Sequence, residues 1–111
     1  MKSKHILIQS ESLGTGDEKL GRLLMASFLR LLGEREDKPE AITFINAGVK
    51  LVCKGSQVLE HIKKLEGAGV EILACTTCLE YFDLVEELSV GKPTTMAKSI
   101  EAMLNTEFIA L

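Results

Sequence analysis

The sequence predicts an α/β protein with three layers, α/β/α, around a mainly parallel five-stranded sheet. Short, continuous apolar runs alternate with amphipathic stretches along the chain. Such runs are typical of strands buried on both faces of a parallel sheet, and regular alternation of strand and helix favours parallel pairing through right-handed crossovers. A length of 111 residues suits one domain, so we expect residues 1–111 to form a single domain.

The first part of the chain predicts one strand and one helix. Ile6–Ile8 is the first apolar run, and the turn at Leu13–Gly16 ends it. A helix follows and ends near Gly33, with Thr15 and Asp17 as competing N-caps. Its apolar residues recur at helical spacing: Leu20, Leu23, Leu24, Phe28, Leu31 and Leu32.

The middle of the chain predicts a second strand and a second helix. Ile42–Ile45 is the strand, Asn46–Gly48 is a turn, and Val49–Cys53 is a short apolar segment without a firm assignment. The second helix starts at Gly55–Ser56, and glycines at its end supply a stop. Its apolar residues and stop signals are Val58, Leu59, Ile62, Leu65, Gly67 and Gly69.

The last part of the chain predicts three strands and two helices. Val70–Ala74 is a third strand, and Cys75–Cys78 follows it with a helix that runs to about Leu88. The remaining elements are a very short fourth strand at Val90–Gly91, a last helix capped by Pro93–Thr95, and a fifth strand at Glu107–Leu111.

Composition argues against several classes of protein. The formal net charge is −3 and lysines are mixed with acids, so we expect no affinity for nucleic acid or for a membrane surface. Met1–His5 is polar and no apolar stretch approaches the roughly 18 residues of a membrane span, so a cytoplasmic location is expected. Three cysteines suit a reducing compartment better than a secreted disulfide framework.

Three loops follow the carboxyl ends of the predicted strands, where open parallel sheets bind their ligands. They are Ser10–Gly16, Asn46–Lys54 and Cys75–Cys78. All three cysteines of the chain lie on these loops or at their edges. The working chemistry is therefore expected at this edge of the sheet.

Cys75 and Cys78 are the main candidates for that chemistry. Cys75 ends a predicted strand, and Thr77 is the expected N-cap that makes Cys78 the first helical residue. Unpaired backbone N–H groups and the helix dipole would stabilise a thiolate there, which favours persulfide or disulfide chemistry. Glu80 and Asp83 oppose this effect. The alternative is a pair of small, partly buried residues at a strand–helix junction.

Other candidate residues are weaker. Cys53 has flanking lysines that would favour its thiolate if it is exposed, but it also fits a core cysteine. A zinc site would need Cys53 with the cysteine pair, and no histidine has ligand spacing, so no metal or cofactor is expected. His5 and His61 are expected on the surface. Gly14 and Gly16 fit a tight turn better than an anion cradle.

The cysteine motif and three further segments resemble a known family. Leu73–Cys78, LACTTC, is similar to the cysteine motif of DsrE/DsrF-like proteins. The wider match is to the DsrE-like domain of YedF proteins, which are associated with sulfur or selenium metabolism. It rests on the patterns LGxGDxxLGxxLM at Leu13–Met25, FINxGVKL at Phe44–Leu51 and GVEIL at Gly69–Leu73.

The resemblance implies a subunit of a sulfur relay, which carries sulfane sulfur or selenium as a cysteine persulfide. Cys75 matches the carrier position best and Cys78 completes the pair. A pocket around them would include Asn46, Gly48 and the two threonines Thr76–Thr77. Implied partners are sulfur donor or acceptor proteins such as TusA-like carriers. YedF proteins usually carry an N-terminal SirA/TusA-like domain that these residues do not include, so the chain is a stand-alone member or a separated domain.

Alternatives from other classes are a thiol–disulfide redox protein and a non-catalytic module that binds a small ligand or partner. The resemblance also implies a homo-oligomer: most simply a dimer, with a trimer or hexamer as alternatives. Tyr81 and Phe82 give an independent reason, because adjacent helical residues point about 100° apart and both rings cannot face one sheet. One ring then faces solvent or a partner, and aromatic residues are enriched in interface cores.

Overall fold

Five parallel strands form one sheet in the computed structural model, which describes residues 3–111. The strands are β1 (Lys4–Ile8), β2 (Ala41–Phe44), β3 (Glu71–Cys75), β4 (Lys92–Thr94) and β5 (Glu107–Ala110). They lie in the order β4-β3-β2-β1-β5, and every neighbouring pair is parallel. The predicted α/β class with a parallel five-stranded sheet is confirmed.

Four α-helices flank the sheet: α1 (Glu18–Leu32), α2 (Leu59–Gly67), α3 (Thr76–Tyr81) and α4 (Met96–Asn105). The chain steps from β1 to β4 in one direction and then crosses back to β5 at the opposite edge. Right-handed crossovers therefore place α1, α2 and α3 on one face and α4 on the other. Within residues 3–111, none of the helices has the length and apolar character needed to cross a membrane.

The sheet face under α1 and α2 forms the apolar core. Register pairing aligns Ile6 with Ile42 and Ile72, so these side chains share one face. They pack with fully buried residues from the helices, which are Met25, Leu29, Ile62 and Leu65. Each fully buried side chain of this size contributes about 1.5–3 kcal/mol relative to exposure, so this face supplies most of the stability.

The opposite face, under α4, is partly polar, and His5 lies on it. Surface exposure was expected for His5, but the residue is buried because β1 already begins at Lys4. Its Nε2 lies 2.6 Å from the hydroxyl oxygen of Thr43 on β2. Burial lowers the pKa of His5 below its usual 6.5, and the carboxylates of Glu40 and Glu71 oppose that shift. The surface prediction for His5 is therefore wrong.

Helix α1 starts and packs differently from a simple amphipathic helix. Asp17 is its N-cap and accepts a hydrogen bond from the N–H of Leu20 at 2.8 Å, so Asp17 rather than Thr15 caps the helix. Met25 and Leu29 face the core. Four leucines lie on the other side with 45–62% of their surface exposed. We call these residues the leucine stripe of α1: Leu20, Leu23, Leu24 and Leu31.

Helix α3 is shorter than predicted. A helix to about Leu88 was expected, but α3 ends at Tyr81 because Asp83 adopts a left-handed conformation with φ of 56°. The N–H of Leu84 donates to the carbonyl of Leu79 at 2.8 Å, which closes a Schellman-type end. A 3₁₀-helix at Val85–Glu87 follows.

Three other boundaries also differ from the sequence prediction. The unassigned segment after β2 belongs to a 3₁₀-helix at Asn46–Val52, and α2 begins at Leu59 rather than at Gly55. The fourth strand is Lys92–Thr94, so the strand predicted at Val90–Gly91 is wrong by two residues. Thr95 caps α4 as expected.

Candidate functional site

The two candidate cysteines lie where β3 runs directly into α3. Cys75 is both the last residue of β3 and the N-cap of α3, with φ −61° and ψ 121°. Thr76 is already helical, so Thr77 is not the N-cap and Cys78 is the third residue of the helix rather than the first. The hydroxyl of Thr76 donates to the carbonyl of Thr94 on β4 at 2.9 Å, which holds the start of α3 against the sheet edge.

Cys75 and Cys78 are both free thiols, and they lie three residues apart across the junction of β3 and α3. Cys75 is buried, with 5% of its surface exposed, whereas Cys78 is partly exposed. Burial raises the pKa of the Cys78 thiol, and the hydrogen bond and charge of Cys75 raise it further. The N–H of Asn46 donates to Sγ of Cys78 at 3.1 Å and opposes these effects. Reagents from solvent therefore meet Cys78 before Cys75.

The loop after β2 brings Asn46 to the cysteines. Asn46 is the first residue of the 3₁₀-helix and has a φ of 51°, a left-handed conformation that asparagine tolerates better than most residues. Gly48 lets this segment approach β1, because a Cβ at Gly48 would overlap the carbonyl oxygen of Ile8 and lie 3.3 Å from the N atom of Ser10. The glycine therefore positions the residue that contacts the thiol.

The four predicted pocket residues thus have different roles. Asn46 contacts Cys78 through its backbone, Gly48 allows close packing, and Thr76 bonds to β4. Thr77 is exposed on the surface of α3. The sequence therefore indicated the loops that surround Cys78. It could not indicate that the backbone N–H of Asn46 is the donor, because every residue other than proline carries such a group.

Cys53 differs from this pair in its chemical environment. Its side chain is buried, and its thiol donates to the carbonyl of Val49 at 3.2 Å. Burial raises the pKa of Cys53, and the charge of Glu87 adds to that effect. The flanking lysines therefore do not activate an exposed thiol, and Cys53 is a core cysteine. Across residues 3–111, no three side chains of His, Cys, Asp or Glu come together as a metal site.

The glycine turn before α1 gives no sign of an anion cradle. Gly14 and Gly16 have φ values of +85° and +140°, so both positions use the conformational freedom of glycine. The carboxylate of Asp17 already occupies the N-terminus of α1 through its bond to the N–H of Leu20. A negative charge there disfavours a second anion, which supports the interpretation as a tight turn.

A surface beside Cys78 was not predicted from the sequence. Nζ of Lys50 lies 4.7 Å from the centroid of the Phe82 ring, one helical turn after Cys78. Tyr81 stacks edge-on against Phe82 at 5.3 Å and is 84% exposed. An adjoining concave surface of about 390 Å³ is lined mainly by residues of the same loops: Glu11, Lys50, Cys53, Lys54, Phe82 and Leu84. Lys50 and Phe82 are distant in sequence, so only folding joins them.

Comparison with known proteins identifies the fold but no family. No protein-family model matches the chain, and no curated protein matches it. The solved structures that resemble it include three that match over nearly their whole lengths. A protein of unknown function from Methanobacterium thermoautotrophicum superposes with a TM-score of 0.75 and 17% identity, and each chain is covered completely. The ychN protein from E. coli gives 0.76 and 14%, again with complete coverage of both chains.

The third is a conserved protein of unknown function from Bacteroides thetaiotaomicron. It has a TM-score of 0.72 and 20% identity, and the match covers 98% of this chain and 95% of that one. The ychN protein has a DsrE-like fold. This chain shares that fold. At these identities the similarity concerns architecture alone, so the resemblance to DsrE-like proteins is supported at the level of the fold.

Proposed function

We propose that the chain is a sulfur carrier, related to the DsrE-like domain of YedF proteins, that holds sulfane sulfur as a cysteine persulfide. The observation that carries this proposal is the pair of free thiols, Cys75 and Cys78, three residues apart where β3 ends and α3 begins. A backbone N–H donates to one of those sulfurs. Ligands bind at this edge of open parallel sheets, so the thiols lie where a reaction partner would approach.

The difference in solvent exposure between the two cysteines suggests a separate role for each. Cys78 is partly exposed and receives the N–H of Asn46, which stabilises negative charge on its sulfur. Cys75 is buried. We therefore assign Cys78 as the first acceptor of sulfur and Cys75 as the second thiol, the reverse of the order that the resemblance implies.

The transfer itself balances without an external oxidant. The thiolate of Cys78 attacks the terminal sulfur of a donor persulfide, so the S–S bond of the donor breaks and a new S–S bond forms on Cys78. The electron pair leaves on the donor thiolate, which takes up the proton that Cys78 lost. An acceptor thiolate then repeats the attack on the terminal sulfur and releases Cys78. Small TusA-like carriers are the donors or acceptors that we propose.

Cys75 provides a second route by which the sulfur can be released from Cys78. Its thiolate can attack Sγ of the Cys78 persulfide, which expels hydrosulfide and leaves a disulfide between the two cysteines. A dithiol reductant must then reopen the disulfide before the next cycle. This route would make persulfide on the wild-type protein short-lived and persulfide on a Cys75→Ser variant longer-lived.

The decisive experiment is mass spectrometry of the reduced protein after incubation with glutathione persulfide. Cys75→Ser should gain about 32 Da, the mass of one sulfur atom in a persulfide, and the wild type should show the same adduct at early times, before attack by Cys75 replaces it with a disulfide. Cys78→Ser should lose most of the adduct, and the double variant should lose all of it. Cys53→Ser is the matched control, because the thiol it removes is buried, and should label like the wild type. An adduct that persists in the double variant would exclude the pair as the carrier.

A thiol–disulfide redox role is the second candidate, because the two free thiols have the Cys-x-x-Cys spacing at the start of a helix that is typical of redox pairs. The two functions differ in their products. A redox protein would equilibrate with glutathione as a dithiol–disulfide couple and form no persulfide with the donor. A non-catalytic module would behave like the wild type in a cellular assay after both cysteines are replaced by serine.

We also propose that the chain forms a homo-oligomer, most simply a dimer, through the leucine stripe of α1. The four residues of the stripe recur at helical spacing and lie within about 100° of the helix circumference. A symmetric dimer can bury such a stripe against its own copy. Tyr81 supports a second contact near Cys78, since its ring is left uncovered as the adjacent-ring argument predicts. Larger rings such as a trimer or hexamer could use both surfaces.

A further inference from the structure

The sheet face under α4 contains a cavity of about 290 Å³ with an unusual lining. Within residues 3–111, four polar side chains are more than nine-tenths buried, and all four line this cavity. They are His5, Thr43, Thr94 and Ser99. Strands of a parallel sheet that are covered on both faces are normally apolar, and the face under α1 follows that rule. The polar groups are therefore concentrated around one space.

The hydrogen bonds of these groups leave capacity for a ligand. Nε2 of His5 and the hydroxyl of Thr43 bond to each other at 2.6 Å, and the hydroxyl of Ser99 donates to the carbonyl of Thr95 at 3.2 Å. Each of these hydroxyl oxygens retains a lone pair. Thr94 is 4% exposed and lines the same cavity. Polar cavities hold water or polar ligands, whereas apolar cavities stay empty.

The chain topology determines where the charged residues lie around the cavity. Lys92 and Glu71 pair at 3.2 Å and compensate each other. Glu40 precedes β2, at the amino end of the strands, whereas Lys98 lies in the first turn of α4, which starts just after the carboxyl end of β4. Because α4 runs from that edge back to the start of β5, Glu40 and Lys98 lie at opposite ends of the cavity.

We propose that this cavity binds a small zwitterion of the amino-acid class. The ammonium of the ligand would face Glu40, its carboxylate would face Lys98, and the hydroxyls of Thr94 and Ser99 would contact its polar atoms. The volume lies at the lower end of the roughly 300–1,000 Å³ of typical ligand pockets, which selects a small molecule. This site uses neither Cys75 nor Cys78, so it stands independently of the proposed sulfur chemistry.

The first test is titration calorimetry of the full chain with glycine, L-alanine and L-serine. At least one of these zwitterions should bind and should raise the melting temperature in a concentration-dependent way, because a ligand of the folded state stabilises it by mass action. Ethanolamine carries only the ammonium and glycolate only the carboxylate, so each should bind at least tenfold more weakly. Absence of binding by all three amino acids would overturn the proposal, and so would equal binding of either singly charged analogue.

Variants assign the binding to this cavity. Glu40→Gln and Lys98→Met change exposed residues, so the fold should survive, and each should weaken amino-acid binding at least tenfold. Lys64→Met on α2 is the matched control and should bind like the wild type. Ala102→Leu should block binding by filling the space under α4 while the charges stay. Unchanged affinity in both Glu40→Gln and Lys98→Met would overturn the assignment, whether or not Ala102→Leu folds.

Discussion

Replacement of Gly48 by alanine should damage both the fold and the thiol site. Gly48 belongs to the 3₁₀-helix that begins at Asn46, and it packs against the end of β1. An added Cβ would overlap the carbonyl oxygen of Ile8, which already accepts the N–H of Ile45 at 3.0 Å. The methyl group must therefore push this segment away from β1, break that hydrogen bond, or do both.

The size of the effect follows from three contributions. Overpacking of a tight contact costs about 1–3 kcal/mol, and the lost backbone hydrogen bond costs about 0.5–1.5 kcal/mol. Alanine restricts the unfolded chain and returns about 0.4–1 kcal/mol, since Gly48 does not need a positive φ. The free energy of unfolding of Gly48→Ala should thus fall by about 0.5–4 kcal/mol, which lowers Tm by at least about 2 °C.

Urea denaturation followed by circular dichroism measures this change, and Gly67→Ala is the matched control. Gly67 lies at the end of α2, has no atom within 4 Å of a Cβ and has no positive φ. Alanine there should raise the free energy of unfolding by about 0.4–1 kcal/mol. The two substitutions are chemically identical and should differ in sign. Alkylation of Cys78 should also change rate in Gly48→Ala, because Asn46 moves with the loop.

The reasoning fails if Gly48→Ala is as stable as the wild type while the m-value is unchanged. In that case the loop would have tolerated the methyl group without losing its contact to β1. If Gly48→Ala is destabilised but its Cys78 is alkylated at the wild-type rate, only the proposed effect of the loop on the thiol is refuted.

Three further predictions concern ionisation and assembly. Cys75→Ala should lower the pKa of Cys78, because the thiol of Cys75 raises that pKa. The pH profile of iodoacetamide alkylation measures the pKa of Cys78. An unshifted profile would contradict the effect of Cys75 on Cys78. The folded protein disfavours protonated His5, so the free energy of unfolding should fall as pH drops below about 6.5, by at most about 1.4 kcal/mol per pH unit. In urea titrations at pH values across that range, the free energy of unfolding of His5→Asn should change less with pH than that of the wild type. An equal pH dependence in both proteins would refute the role of His5. Light scattering should give a multiple of 12.2 kDa for the wild type and a smaller mass for Leu24→Glu; a monomeric wild type rules out the dimer.

Local patterns were enough to predict four of the five strands and the place of the cysteine pair. Continuous apolar runs at Ile6–Ile8 and Val70–Ala74 predicted buried parallel strands, because a strand covered on both faces needs apolar side chains at successive positions. Cys75 then had to lie at the carboxyl edge of the sheet. The end of α3 could not be predicted in the same way, since the apolar residues after Tyr81 continue the helical pattern. The left-handed backbone of Asp83 stops the helix at Tyr81.

The sequence by itself determined the α/β class, the parallel sheet and the position of Cys75 after β3, because each depends on the order and polarity of neighbouring residues. Tertiary structure decided the environment of the thiols. The N–H that contacts Cys78 comes from Asn46, 32 residues earlier, and a backbone group leaves no mark in the residue pattern. It also decided that His5 is buried and that the leucine stripe of α1 is exposed. Helical spacing shows that apolar residues share a face, but only the packing of α1 on the sheet shows which face is covered.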